Sequence, residues 1–244
     1  MGTQVSELIV QFKDEAAKAG AVLHEVTRVE DIRDCVLKLA QERSVKSAVK
    51  SNSKLADEID LREHLENAGV EVKEADFKQW LAQLAGNKKT ERESIEQVAK
   101  LISVASGQDL DPDPQVLLSA ANRSIKQYCI DADMGISEAG AAIAETGTLV
   151  ILGNEGVSRL VAVLPRIHIT LLKAQDIVPL MEDVFIKFKI RAGNETGQVV
   201  PSYVTYIAGR NTTADIPGAV LSRAQGPAEE HVVIVNKSAV GDVS

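Results

Sequence analysis

The sequence predicts an α/β fold, a layered sheet with flanking helices, and three observations predict it. Short β-branched runs at Leu149–Leu152, Val161–Leu164, Ile167–Leu172, Tyr203–Ile207 and Val232–Val235 read as buried strands. Strand patterns alternate with amphipathic helical patterns, the arrangement that gives a largely parallel sheet. A length of 244 residues, 45% hydrophobic and 25% charged, is enough to bury one large core.

Taken in order, Val5, Leu8, Ile9, Phe12 and Ala16 share one helical face. Ile32, Cys35, Val36 and Leu39 do the same in a second helix, entered through a Thr27…Glu30 capping box. Val45–Val49 reads as a short strand. Leu55, Ile59 and Leu65 then lie along a helix that Gly69 ends before the strand Val70–Val72. Phe77, Trp80, Leu81 and Leu84 form a core-facing stripe, repeated at Ile95, Val98, Ala99 and Ile102. Asp111-Pro112-Asp113-Pro114 breaks the chain before a helix reaching Tyr128. Ala141–Leu152 looks like a hairpin turning at Thr146-Gly147-Thr148, and a helix carrying Ile177, Leu180, Met181, Val184 and Phe188 tolerates Pro179 only in its first turn.

Composition narrows the function. Aromatics at 3% and a net charge of −8, from 35 acidic and 27 basic side chains without a basic block, argue against nucleic acid. Cys35 and Cys129 stand apart with no metal-ligand spacing, so the expectation is no metal and no cofactor in this chain. No apolar run approaches the roughly 18 residues of a membrane span and no leader pattern opens the chain, so a cytoplasmic protein without membrane contact is expected. Gly-x-Gly-x-x-Gly, Walker, Gly-x-Ser-x-Gly and His-Glu-x-x-His motifs do not occur.

Between Ala139 and Asn154 the one charged residue is Glu145, followed by Thr146, Gly147 and Thr148. A carboxylate in such a run needs donors or a turn, which makes Glu145 the candidate general base or nucleophile, with a solvent-facing turn as the alternative. Gly-rich turns after strands expose N–H groups to anions. Gly153-Asn154-Glu155-Gly156, trailed by Ser158 and Arg159, is one, and Gly209-Arg210-Asn211-Thr212 is another. His168 and His231 are each either structural histidines or bases. The ligand-binding candidates are Thr146, Gly147, Thr148, Asn154, Glu155, Gly156, Arg159, His168, Gln198, Gly209 and Arg210.

Ala132-Asp133-Met134-Gly135-Ile136-Ser137, Ala142–Val150 and Asn154-Glu155-Gly156 together resemble the LUD domain of lactate utilisation proteins. Pro165–Ile169, Thr196-Gly197-Gln198, Gly209-Arg210, Gly226-Pro227…His231, Lys50-Ser51-Asn52-Ser53 and Asp57-Glu58-Ile59 extend the resemblance. It places a LUD domain over residues 45–237, after a helical segment over 1–44 and before a tail over 238–244. The resemblance implies a fold similar to the glucosamine-phosphate isomerase, ribose-phosphate isomerase and CoA-transferase class. It also implies a bacterial system that oxidises L-lactate to pyruvate, in which B-type members add ferredoxin-like cluster-binding segments.

Asn154-Glu155-Gly156 and Thr196-Gly197-Gln198 look more like the B type, yet the sequence carries no Cys-rich extension. The expectation is therefore a LUD-only subunit or accessory protein, binding a small anionic ligand or docking onto an iron–sulfur partner that holds any cluster. Self-association into a homo-oligomer stays open. The alternative is a stand-alone transferase or isomerase acting on a phosphorylated sugar or acyl-CoA, with Glu145 as base or nucleophile.

Overall fold

The computed structural model describes residues 2–86, 93–153, 156–194, 203–209, 212–216, 219–222 and 226–236. In chain order the elements are α1 (Gly2–Lys18), β1 (Val22–Val26), α2 (Asp31–Glu42), β2 (Ser47–Lys50), α3 (Lys54–Glu58), α4 (Leu61–Asn67), β3 (Glu71–Glu74), α5 (Phe77–Leu84), α6 (Ile95–Ser106) and α7 (Pro114–Asp131). Then come β4 (Met134–Ile143), β5 (Thr148–Gly153), α8 (Val157–Val163), β6 (Ile167–Lys173), β7 (Ile177–Val178), α9 (Met181–Asn194), β8 (Tyr203–Ile207), β9 (Thr212–Ile216), β10 (Ala219–Ser222) and β11 (Glu229–Val235).

Six strands in the order β1-β11-β6-β4-β2-β3 form a parallel sheet. Parallel strands need crossovers on the faces, so both faces are covered and the strands are apolar on both sides. On one face α2, α3 and α4 bury Ile32, Leu55, Leu61 and Leu65 against Met134, Ile136, Ile169 and Val233. On the other, α5, α6, α7 and α8 bury Trp80, Ile102, Ile125 and Val161 against Val49, while Phe12 and Ala16 of α1 pack on Val232 and Ile234. Each strand thus sends alternate residues to two different cores.

β4 is the longest strand and belongs to two ladders. Its first half lies in the parallel sheet; past a bulge at Ala139–Ala141 it pairs antiparallel with β5, which pairs with β8. Gly140 sits at the bulge, where any Cβ would press into the Leu152 side chain.

The structure corrects several expectations. β1 separates the first two helices: Val-Leu-His-Glu-Val is a half-exposed edge strand whose apolar signal is weak. The Thr27…Glu30 box does not form; Arg28 N–H donates to Asp31 and α2 begins after Glu30. The helix through Leu55 and Leu65 is two helices, broken at Asp60 with φ +47°. Val161–Leu164, expected as a strand, ends α8 and the residue after it, because the chain must cross the sheet face to reach β6 in parallel. Ile177 and Val178 are β7, not helix, since the residue before Pro179 is pushed out of the α region. β1 pairs with β11 and α2 packs in the central cluster, so both lie in the same core as the later strands.

Candidate functional site

Ligands in open α/β sheets bind beyond the carboxyl ends of strands where the chain order reverses direction. Here that point lies between β2 and β4. β2 proceeds to β3 through α3 and α4 on one face, whereas β4 proceeds to β6 through α8 on the other. The connections therefore diverge, the topology that opens a crevice in folds of this class. Ser51, Asn52 and Ser53 form one lip; β5, running back along β4 from the Ala139–Ile151 pair, delivers Gly156, Ser158 and Arg159 to the other. α8 lies so close to the sheet that a Cβ at Gly135 would strike the Val161 carbonyl.

Charges of alternating sign line the carboxyl ends of four adjacent strands: Glu74 of β3, Lys50 of β2, Glu138 of β4 and Lys173 of β6. Lys50 is only 1% exposed, and its Nζ lies 2.9 Å from Asp57 and 3.1 Å from Glu74. Gln79 also donates to Asp57, at 2.9 Å. Burial pushes the Glu74 carboxyl above the usual carboxylate range, and Lys50 and Arg62 only partly oppose it. This half of the row is closed.

The other half is open. Ser53 caps α3, its hydroxyl accepting from Ala56 N–H and donating to Glu138 Oε2 at 2.9 Å. Leu55 N–H donates to the same oxygen at 3.0 Å. Lys173 Nζ stands 3.5 Å from Glu138 Oε1, and the two side chains are 18% and 13% exposed. A carboxylate and an ammonium that solvent reaches, at a strand-order reversal, can hold a small polar anion.

Two histidine chains flank β11 in the same sheet. His168 donates from Nδ1 to Glu230, with the carboxylate oxygens at 2.9 and 3.0 Å, and its Nε2 bonds the Ser137 hydroxyl. Thr170 adds a donor to Glu230 at 3.2 Å, and all four side chains are buried. On the opposite face Arg43 donates to Glu229 at 2.8 Å, His231 Nε2 bonds Glu229 at 3.1 Å, and His24 Nε2 lies 3.0 Å from His231 Nδ1. Burial, then the neighbouring His231, lowers the His24 pKa.

The predicted site residues fall into three places. Glu145 and Thr146 are exposed in the β4–β5 turn, where Glu145 N–H donates to Pro179 O and the Thr146 hydroxyl to Thr148. Gly147 and Gly209 both press on the end of α1, at Glu15–Ala16 and at Ala19, with positive φ of 65° and 70°. Gly156 and the exposed Arg159 belong to the crevice lip, and Tyr203 packs over Gly156. The six residues of β5, at about 3.3 Å each, put roughly 20 Å between the Glu145 turn and that lip. His168 is in the core, away from both. Asn154, Glu155, Gln198 and Arg210 lie outside the described residues.

Glu138, Lys173, Glu74, Ser137 and Glu230 were not singled out by sequence reasoning. Glu138 stands one residue before the apolar window that drew attention to Glu145, and Lys173 is the first charge after the buried run of β6. Both signals are present, but only strand parity and register say which face they reach.

Cys35 and Cys129 pack in different clusters, and burial pushes the Cys129 thiol up to about 12. A cluster needs thiolates at one place, so these two residues do not fit an iron–sulfur group. Among the described residues no three His, Cys, Asp or Glu side chains converge as metal ligands. No helix there is long and apolar enough to cross a membrane.

The chain is similar to known proteins along most of its length. A solved DUF162 family protein from Deinococcus radiodurans is similar in fold, with a TM-score of 0.50 and 15% identity over 95% of this chain and 98% of that one. Lactate utilization protein B from Shouchella clausii is 28% identical over 233 residues, covering 93% of this chain and 47% of the relative. The protein of the same name from Geobacillus thermodenitrificans is 28% identical over 235 residues, 93% and 48%, and that from Bacillus subtilis 27% over 233 residues, 93% and 47%. The chain thus spans about half the length of the curated relatives it matches. The LUD domain profile matches residues 9–235, nearly the entire chain, including the second half of α1 and all of β1 and α2. The chain belongs to the LUD domain family.

Proposed function

We propose that this chain serves a lactate-utilisation system that oxidises L-lactate to pyruvate, as its LUD-domain subunit. It binds a small anionic ligand in the crevice between β2 and β4 and docks onto an iron–sulfur partner. The observation that carries the reading is the similarity to lactate utilization protein B along 93% of the chain. Lys173 and Arg159 supply cations to the anion, and Glu138 supplies an acceptor. Electrons leave through a cluster outside these 244 residues, because Cys35 and Cys129 pack apart and do not make a cluster site. A stand-alone transferase or isomerase built on Glu145 has less support: that carboxylate sits in an exposed turn at the far end of β5 from Arg159.

The test is genetic and biochemical. Deleting the gene is expected to stop growth on L-lactate while sparing growth on pyruvate, and the tagged chain is expected to copurify with a protein carrying iron and acid-labile sulfide. Unchanged lactate growth and no copurifying partner would reject the proposal.

A further inference from the structure

We infer that Glu138 and Lys173 form a ligand-reading pair that selects a 2-hydroxy carboxylate over the corresponding 2-oxo acid. The inference rests on the functional reading above for the size and charge of the ligand, and on the geometry of the pair for its selectivity.

The two oxygens of Glu138 are in unequal positions. Oε2 is filled by the Ser53 hydroxyl and the Leu55 N–H. Among the described residues Oε1 has Lys173 Nζ as its partner, at 3.5 Å, which is an ion pair beyond good hydrogen-bond length. The first oxygen fixes the rotamer, so the second is a stationary acceptor that solvent reaches. A carboxylate oxygen accepts and never donates. It gains a hydrogen bond from a ligand hydroxyl, whereas a ketone oxygen in the same place sets two acceptors against each other. Lys173 has three donors, of which the long contact to Glu138 uses at most one, so its ammonium has donors for a ligand carboxylate. A hydroxyl and a carboxylate on neighbouring carbons are the complement of an acceptor and a cation so spaced.

The neighbouring Lys50–Glu74 pair does not offer the same reading. Lys50 is enclosed between Asp57 and Glu74 and barely reaches solvent, so a small acid meets Glu138 and Lys173 first. Sites built around a hydroxyl donor discriminate strongly against analogues lacking it, because the site's own polar group is left unpaired.

Isothermal titration calorimetry on the purified full chain tests this, with L-lactate and pyruvate as the probes and Glu145→Gln as a control remote from the crevice. L-lactate is expected to bind about tenfold or more tightly than pyruvate. In Glu138→Gln the preference collapses toward unity, because an amide offers both a donor and an acceptor. In Lys173→Met both acids lose about tenfold or more in affinity. Melting temperatures of the variants confirm that each is folded. Equal binding of the two acids by the parent, or a preference that survives Glu138→Gln, overturns the inference and leaves the lactate role standing. Failure of both acids to bind at about 10 mM, where even a millimolar ligand raises the melting temperature, overturns it too. Growth on lactate then decides separately whether the broader role survives.

Discussion

His168 and His231 are both strand histidines bonded to glutamates of β11, on opposite faces of the sheet. The His168 chain runs from Glu230 to Ser137 across three strands, and each of its side chains is shielded from water. The His231 chain runs outward, from Glu229 to the half-buried His24 in one direction and to the partly exposed Arg43 in the other. The same pair of residue types therefore does two jobs. In the sealed chain every bond replaces water that cannot enter, so the chain fixes the register of β4, β6 and β11. In the open chain water competes at both ends, and burial leaves the half-buried His24 with a lowered pKa.

The largest expected effect breaks the sealed chain. Glu230→Ala leaves His168 Nδ1–H and the Thr170 hydroxyl buried without an acceptor, and is expected to cost about 3–5 kcal/mol in urea unfolding. Glu229→Ala, one residue away, removes an ion pair whose members are 36% and 31% exposed together with the partner of the buried His231 Nε2, and is expected to cost about 1–2 kcal/mol. Equal losses from the two substitutions would erase the distinction between the chains.

A smaller effect sharpens the open chain. The folded pKa of His24 lies below its ordinary value of 6.5, through burial first and His231 second, with Lys38 and Arg43 reinforcing and Glu42 opposing. Lowered in the folded state, this group contributes stability that is present above pH 6.5 and is lost as pH falls below it, since the unfolded chain then binds the proton more readily. Glu74 has the opposite sign: its raised pKa contributes stability below pH 4.5 that is lost as pH climbs toward its folded value. Subtracting the melting temperatures of His24→Gln from those of the parent cancels Glu74. The difference is expected to shrink steadily from about pH 7.5 to about pH 5. A flat difference would mean that the fold leaves the His24 pKa where it is in the unfolded chain.

Periodicity made most of the architecture legible. The helices α1, α5, α6 and α7, and the strands β6, β8 and β11, stand where apolar spacing puts them, and Asp113 caps α7 as the Asp-Pro break implies. What escaped was set by long-range partners. β1 is a strand because β11 offers it an edge, and α8 is a helix because a parallel sheet needs a crossover there. The site divides in the same way. Ser51, Ser53, Gly156 and Arg159 lie in recognisable motifs, whereas Glu138 and Lys173 become a pair only once β4 and β6 are adjacent. His168 and His231 read alike as sequence, because nothing local tells a histidine whether the strand beside it ends in water.

Glu145 supplies the smallest expected effect and a control for the comparison. Its motif marks the family, yet its side chain is exposed in a turn that the backbone already holds through the Glu145–Pro179 bond, the Thr146–Thr148 bond and the positive φ of Gly147. None of these uses the carboxylate. Glu145→Gln is therefore expected to change unfolding free energy by no more than about 0.5 kcal/mol. Gly147→Val in the same turn is expected to cost several times that, since its side chain would be driven into the α1 backbone at Ala16. A family motif can thus record how a hairpin seats on a helix while the proposed ligand crevice lies about 20 Å away, at the other end of β5. If Glu145→Gln instead removed lactate binding while leaving the melting temperature unchanged, the turn would be part of the site and the division between seat and crevice would fail.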